Sequence, residues 1–233
     1  MKKICVFFIE FIITFFLATA FTTIASGQDT VAVVFPFKIN IGADIYGPAY
    51  YYAEKNSLTI ESFISVDRDT MKSYSFEAGY SRFNYEQYNY SYKCNGLFIR
   101  AGIGFNFISP KVSKGRYYAG TGLKYGASLY SHEIPFFESE NFWGKLSQSI
   151  GKSTHIAHFI EASPGIRTEL FKNFSIGWTI RLRILLYGGT GKDLKPIYIP
   201  GYGNGTKSFS PGINYYFVWS IPYKKVTLKP AGK

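Results

Sequence analysis

The chain has 233 residues, 19% aromatic and 18% charged, with 23 glycines, a formal net charge of +11 and a mean hydropathy of −0.03. So many aromatics exclude a disordered chain, and 2 cysteines exclude a disulfide-built scaffold. A mean hydropathy near zero excludes a bundle of membrane helices, but glycine-rich, aromatic strands of alternating character average to that value.

The chain opens on Met1-Lys2-Lys3, followed by an apolar stretch over residues 4–21 and the small residues Ala25-Ser26-Gly27. That pattern predicts a secretory signal over residues 1–27, with Gln28 as the mature N-terminus. Glu10 inside the apolar run is unusual, and an uncleaved anchor is the alternative. Loss of Lys2, Lys3 and Glu10 with the leader moves the net charge from +11 to +10. In an exported protein that charge points to anionic lipid headgroups and not to nucleic acid, for which no motif is visible. Cys5 leaves with the leader, so Cys94 remains alone and reads as a small filler. Beyond residue 27 no apolar run reaches the roughly 18 residues of a membrane helix.

After an N-terminal segment at 28–36, a barrel domain is predicted over 37–223, with a tail at 224–233. Period-two alternation marks eight strands: 37–45, 57–66, 74–83, 96–107, 117–130, 157–170, 174–187 and 210–221. The seventh is the clearest. Phe174, Ile176, Trp178, Ile180, Leu182, Ile184 and Leu186 share one face, while Ser175, Gly177, Thr179, Arg181 and Arg183 share the other. Every strand glycine falls on the polar face. So do Lys38, Asp44, Glu61, Glu77, Arg100, Lys124, Glu161, Arg167, Glu169, Arg181 and Arg183, while Arg82 falls on the apolar one. An eight-stranded lumen is barely wide enough for side chains, so the many large apolar groups cannot all point inward. The apolar face, with the aromatics and aliphatics, is therefore placed in lipid. The charges are placed in the lumen as a paired network, with glycine making room for long Arg, Lys and Glu. Phe37, Tyr74, Tyr80, Phe107, Tyr117, Trp178, Tyr215 and Trp219 near strand ends are candidates for interfacial girdles.

Connections at 46–56, 85–95, 134–156 and 188–209 are longer than those at 67–73, 108–116 and 171–174, the inequality of outer loops and periplasmic turns. The outer set carries Tyr50, Tyr51, Tyr52, Tyr88, Tyr90, Tyr198 and Tyr202, which read either as a loop binding surface or as part of the girdle. Pro200-Gly201 fits a type II turn. Gly188-Gly189-Thr190-Gly191-Lys192 lacks the spacing of a phosphate loop and reads as a flexible loop base. Of the histidines, His132, His155 and His158, the last two are three apart, which on a strand sends them to opposite faces. A hydrolase would need one of them to meet Ser153 or Ser131 and an acid such as Glu133 or Glu161.

The stretches Ile41-Gly42-Ala43-Asp44-Ile45, the glycine-rich fourth and fifth strands, Pro164-Gly165-Ile166-Arg167, Ile180-Arg181-Leu182-Arg183, residues 198–203 and the final strand together resemble a family. It is the small bacterial outer-membrane β-barrel proteins grouped as domain of unknown function 6048. The resemblance covers residues 35–224 and implies the barrel fold without a catalytic residue. Many barrels end on a strand-terminal aromatic; here Tyr223 is the nearest candidate, ahead of the tail.

The reading is an all-β, eight-stranded antiparallel up-and-down transmembrane β-barrel, monomeric, in the bacterial outer membrane. It is expected to be non-enzymatic, without cofactor or metal, in contact with outer-membrane lipid and lipopolysaccharide, and to act structurally or through its extracellular loops. Two alternatives stand beside it. A convergent His, Ser and carboxylate on one rim would favour an outer-membrane enzyme acting on lipid or lipopolysaccharide. A contiguous exposed aromatic patch would favour a loop-mediated binding protein for a partner or glycan.

Overall fold

A computed structural model describes residues 33–141, 144–189 and 195–228, so the leader assigned to residues 1–27 lies outside the described residues. The elements in chain order are β1 (Val33–Asp44), α1 (Tyr46–Ala53), β2 (Ser57–Asp67), β3 (Lys72–Gln87), β4 (Tyr90–Asn106), α2 (Pro110–Ser113), β5 (Tyr117–Asn141) and β6 (Gly144–Phe171). They continue with β7 (Phe174–Tyr187), the two-residue strands β8 (Tyr198–Ile199) and β9 (Gly203–Asn204), and β10 (Phe209–Leu228). The eight long strands are antiparallel and close into a ring in the order β1-β10-β7-β6-β5-β4-β3-β2. Closure gives the backbone polar groups of both end strands a partner, which an open sheet leaves bare.

Alternation predicts most strand bodies and all of β7, but not every end. The segment assigned to a tail is strand as far as Leu228: Lys224 pairs with Phe37 and Leu228 with Val33, so 33–36 is strand too. The predicted loop at 134–156 is largely a two-stranded ribbon, in which Phe137 faces Gln148 and Asn141 faces Gly144. Its register shifts between His132 and Ile134, and again between Ile134 and Phe137. Each bulge breaks the period of two, so parity is lost there although pairing continues. The first predicted loop is mostly α1, and the second shrinks to a turn at Tyr88 and Asn89. At the opposite end the connections stay short, with Asn173 at φ 67 in the tight turn between β6 and β7.

The predicted faces hold, but their contents differ from expectation in one respect. Phe63, Tyr92, Phe98, Tyr118, Tyr130, Phe159 and Tyr216 point into the ring, not out. Four of the inward glycines make room for such a ring, and others for the facing backbone, as at Gly96, Gly102 and Gly120. A Cβ at Gly42 would overlap Phe63, at Gly79 Phe98, at Gly126 Phe159 and at Gly177 Tyr216; of these close approaches to long charged side chains, Gly212 against Arg183 is the clearest. A ring set against a bare backbone packs closely where a side chain on both strands would not fit. Towards the end with the long connections, Tyr92, Cys94, Tyr130, Ile134, Ala157 and Phe159 pack with Ile199 and Tyr202 into an interior core.

Gly126→Ala is expected to cost about 1–3 kcal/mol through overpacking against Phe159. Gly151→Ala, with open space around it, should stay within about 0.5 kcal/mol. Urea titrations followed by tryptophan fluorescence measure both, and equal midpoints for the two variants would contradict this packing.

Candidate functional site: an ion network beneath an inserted loop

Inward positions on six neighbouring strands carry the network. Glu61 comes from β2, Glu77 from β3, Arg100 from β4, Lys124 from β5, Glu161 from β6, and Arg181 and Arg183 from β7. Register alternates their signs: Glu77 faces Arg100, and Glu161 faces Lys124 on one side and Arg183 on the other. Arg100 lies at the centre. It pairs with Glu61, with Glu77 through Nε at 2.8 Å and with Glu161 through Nη1 at 2.9 Å. Lys124 Nζ reaches Glu77 at 2.6 Å and Glu161 at 3.3 Å. Arg181 grips Glu61 with both terminal nitrogens, at 2.8 and 2.5 Å, and Arg183 Nε stands 3.6 Å from Glu161. Bidentate, charge-assisted contacts of this kind are the strong class of hydrogen bond.

The other four predicted inward charges lie apart from this cluster. Lys38 donates to Glu169 at 2.7 Å and to the Gly115 carbonyl at 2.8 Å, near the short-turn end. Asp44 accepts from the backbone N–H groups of Tyr46 and Gly47 at 2.9 and 3.0 Å, which ties down the start of α1. Arg167 lies over the Tyr118 ring, 5.6 Å from its centroid. Arg82 points outward as parity predicts, and sits over the Tyr51 ring.

Above the network the segment 195–208 turns into the ring. Pro196, Ile199 and Tyr202 are fully buried. The type II turn expected at Pro200-Gly201 is present: Gly201 has φ 75, and Tyr202 N–H donates to the Ile199 carbonyl at 3.1 Å. Glycine is required there twice over, by its positive φ and by the Phe98 ring against it. Arg100 Nη1 donates to the Gly201 carbonyl at 3.3 Å, and Arg183 Nη1 to those of Gly201 and Tyr202 at 3.1 and 2.5 Å. The arginines that hold the carboxylates thus also hold the loop. A cavity of ≈230 Å³ lies on the long-connection side of the network and one of ≈120 Å³ on the other, and Arg181 and Asn214 line both.

The seven candidate tyrosines do not form one surface. Tyr50, Tyr51 and Tyr52 ride on α1, where Tyr52 is 91% exposed and Tyr50 stacks on Tyr46. The Tyr50 hydroxyl donates to the Glu54 carboxylate, which raises the phenol above its ordinary range. Tyr88 is 98% exposed at the β3–β4 turn, and Tyr90 is half-buried against Phe137. Tyr198 stacks on Phe83 with ring centroids 4.9 Å apart. Tyr202 is inside the ring, donating to the Lys207 carbonyl at 2.7 Å, so it belongs to the core and not to an outer face. Its burial has one visible signal in the sequence, the turn that precedes it.

The histidines divide as their spacing predicts. His158 faces outward, bonded to the Tyr125 hydroxyl at 2.9 Å, while His155 faces inward. Ser153 Oγ donates to His155 Nε2 at 2.9 Å, and His155 Nδ1–H donates to the Gly189 carbonyl at 2.9 Å. His132 is 2% exposed, its ring 5.1 Å from that of His155. Neither proposed acid joins them: Glu161 is held in the network, and Glu133 has the strand parity opposite to His132. Ser131 pairs with Thr154 instead. Among the described residues no group of three His, Cys, Asp or Glu side chains is placed to hold a metal. Gly188 accepts from the Tyr130 hydroxyl at 2.6 Å, and the remainder of the expected loop base, at 190–192, lies outside the described residues.

Arg100→Met would take a buried partner from each of Glu61, Glu77 and Glu161, leaving them to Arg181, Lys124 and Arg183, and should destabilise the fold by about 3–5 kcal/mol. Lys145→Met, which breaks pairs of 3.6 Å between mostly exposed groups, should cost about 0–1 kcal/mol. Urea midpoints of the two variants give the comparison, and a small loss for Arg100→Met would remove the network from its structural role.

A family model described as Domain of unknown function (DUF6048) matches residues 1–226. No curated protein matches the chain. The match takes in all of β1 to β9, the whole ion network and the inserted loop, and by it the chain belongs to the family of domain of unknown function DUF6048.

Proposed function

We propose that the chain is an exported outer-membrane β-barrel, non-enzymatic and monomeric, with a closed lumen and a structural or surface-interaction role carried by its long-connection end. The single observation behind this is the inversion of the ring: ion pairs inside, apolar side chains outside. On β4 the outward Leu97, Ile99 and Ile103 are exposed, Leu97 to 61%, while Arg100 between them is buried. Outward Ile180, Leu182 and Ile184 repeat this on β7, and Ile213, Phe217 and Trp219 on β10. A water-soluble protein does not expose an apolar belt around its whole girth, and hydrocarbon is the solvent that such a belt fits. The belt ends where outward positions turn polar, at Asn95, Ser131 and Thr154 on one side. Outward Tyr74, Tyr117 and Trp219 supply amphipathic rings of the kind that sit at headgroup level. The basic net charge suits lipid phosphates and lipopolysaccharide as the surroundings.

Ion network and inserted loop together argue against a pore. A role at the long-connection end rests on what is exposed there, Tyr52 and Tyr88 above all, as the surface for a protein or glycan.

In detergent the protein should migrate faster on a gel when unheated than after boiling, and it should give no conductance steps in planar bilayers. A soluble protein of unchanged mobility would sink the membrane reading, and steady conductance would sink the closed lumen.

A further inference from the structure

We infer that the cavity at the short-turn end is a binding site for a small oxyanion, a carboxylate or a phosphate, anchored by Arg167. The inference goes beyond the proposed role, because it rests on the closed ring and not on what surrounds it. Of the six inward basic side chains, five have a carboxylate within 4.0 Å: Lys38, Arg100, Lys124, Arg181 and Arg183. Arg167 has none among the described residues; its neighbour is the face of Tyr118. Half-buried and free of any carboxylate within 4.0 Å, its guanidinium keeps N–H groups that can grip an anion at two points.

The space is there. Arg167 lines a cavity of ≈120 Å³, room for several waters or for one small anion with water beside it. The cavity reaches the short-turn end, where Asp69, Thr70 and Gly115 line it. Residues with donor groups line it: Tyr118, Tyr216, Lys124, which also holds Glu77 and Glu161, and Ser75, whose buried Oγ has no partner. Asn214, only 4% exposed, also lines it, and its amide oxygen meets no donor. A flip of that amide turns its NH₂ group to the same place. Opposing charge comes from three carboxylates, of which Asp69 accepts the Met71 and Lys72 backbone N–H groups through Oδ1 at 2.8 Å. Glu77 is taken up by Arg100 and Lys124. Asp67 accepts the Lys38 backbone N–H at 2.9 Å and leaves its charge facing the cavity, which tunes the affinity down.

The full chain, folded in detergent or in buffer if it proves soluble, is titrated calorimetrically. The titrants are inorganic phosphate, acetate, chloride and a short-chain phosphatidylglycerol below its micelle concentration. Saturable one-to-one binding of phosphate or acetate, stronger than chloride, is expected. Arg167→Gln should weaken it about tenfold or more. Arg167→Lys, which keeps the charge but not the two-point grip and serves if the glutamine variant does not fold, should weaken binding less than glutamine does, and Asp67→Asn should tighten it. Arg116→Gln, exposed and outside the cavity, should leave it unchanged. Binding of the lipid alone, lost in Arg167→Gln, would keep the site and make a headgroup its source. Equal heats for every titrant, or undiminished binding by a folded Arg167→Gln, would overturn the inference. Gel mobility of each variant reports separately on the barrel.

Discussion

Eight strands closed into a ring leave a lumen barely wider than the side chains that enter it, and every other feature follows from that width. Nothing large can point inward unless its cross-strand neighbour gives way. Glycine therefore faces Phe63, Phe98, Phe159 and Tyr216, each ring reaching to where a Cβ would stand. Charge deep in the lumen needs a partner as well, because burial there without one costs several kcal/mol. Arg100, bonded on three sides by Glu61, Glu77 and Glu161, meets both demands at once.

A buried ion network is weak grounds for stability in itself, since apolar residues of equal volume often do as well. Its distinct contribution here is register. A slip of one residue in any of six strands would turn a charge from the lumen to the apolar outside, at a cost of several kcal/mol. The same guanidinium groups extend order to a segment that has little regular structure. Arg100 and Arg183 offer donors to the Gly201 and Tyr202 carbonyls, which burial would otherwise leave bare. The loop is held as a side chain would be, by hydrogen bonds from below and by Phe98 and Phe159 around it.

Which residues face inward was legible, because parity is a local property and β7 or β4 display it over many residues. What those residues meet was not. Lys38 and Glu169 are 131 positions apart and touch across the ring, and no spacing rule reaches that far. Departures cluster where the period of two is broken: at the bulges near His132 and Ile134, and in the segment 195–208, whose polar, turn-rich composition reads as exposed loop. Its one legible feature, the Pro200-Gly201 turn, is what allows Tyr202 to double back into the core. The partners of inward glycines were hidden for a like reason. Glycine reports that something approaches closely, without saying whether it is a ring or a charge.

The network spans β2 to β7 and leaves out β1 and β10, the pair that closes the ring. That seam is stitched along 12 paired residues by backbone hydrogen bonds, with the buried contact of Ser220 to Asn40 across it. Six strands can thus assemble their charges as one curved sheet while the first and last strands are still apart. The seam therefore carries no ion pair of the network, and its length does the holding: 12 residue pairs join β1 to β10, against 5 that join β1 to β2.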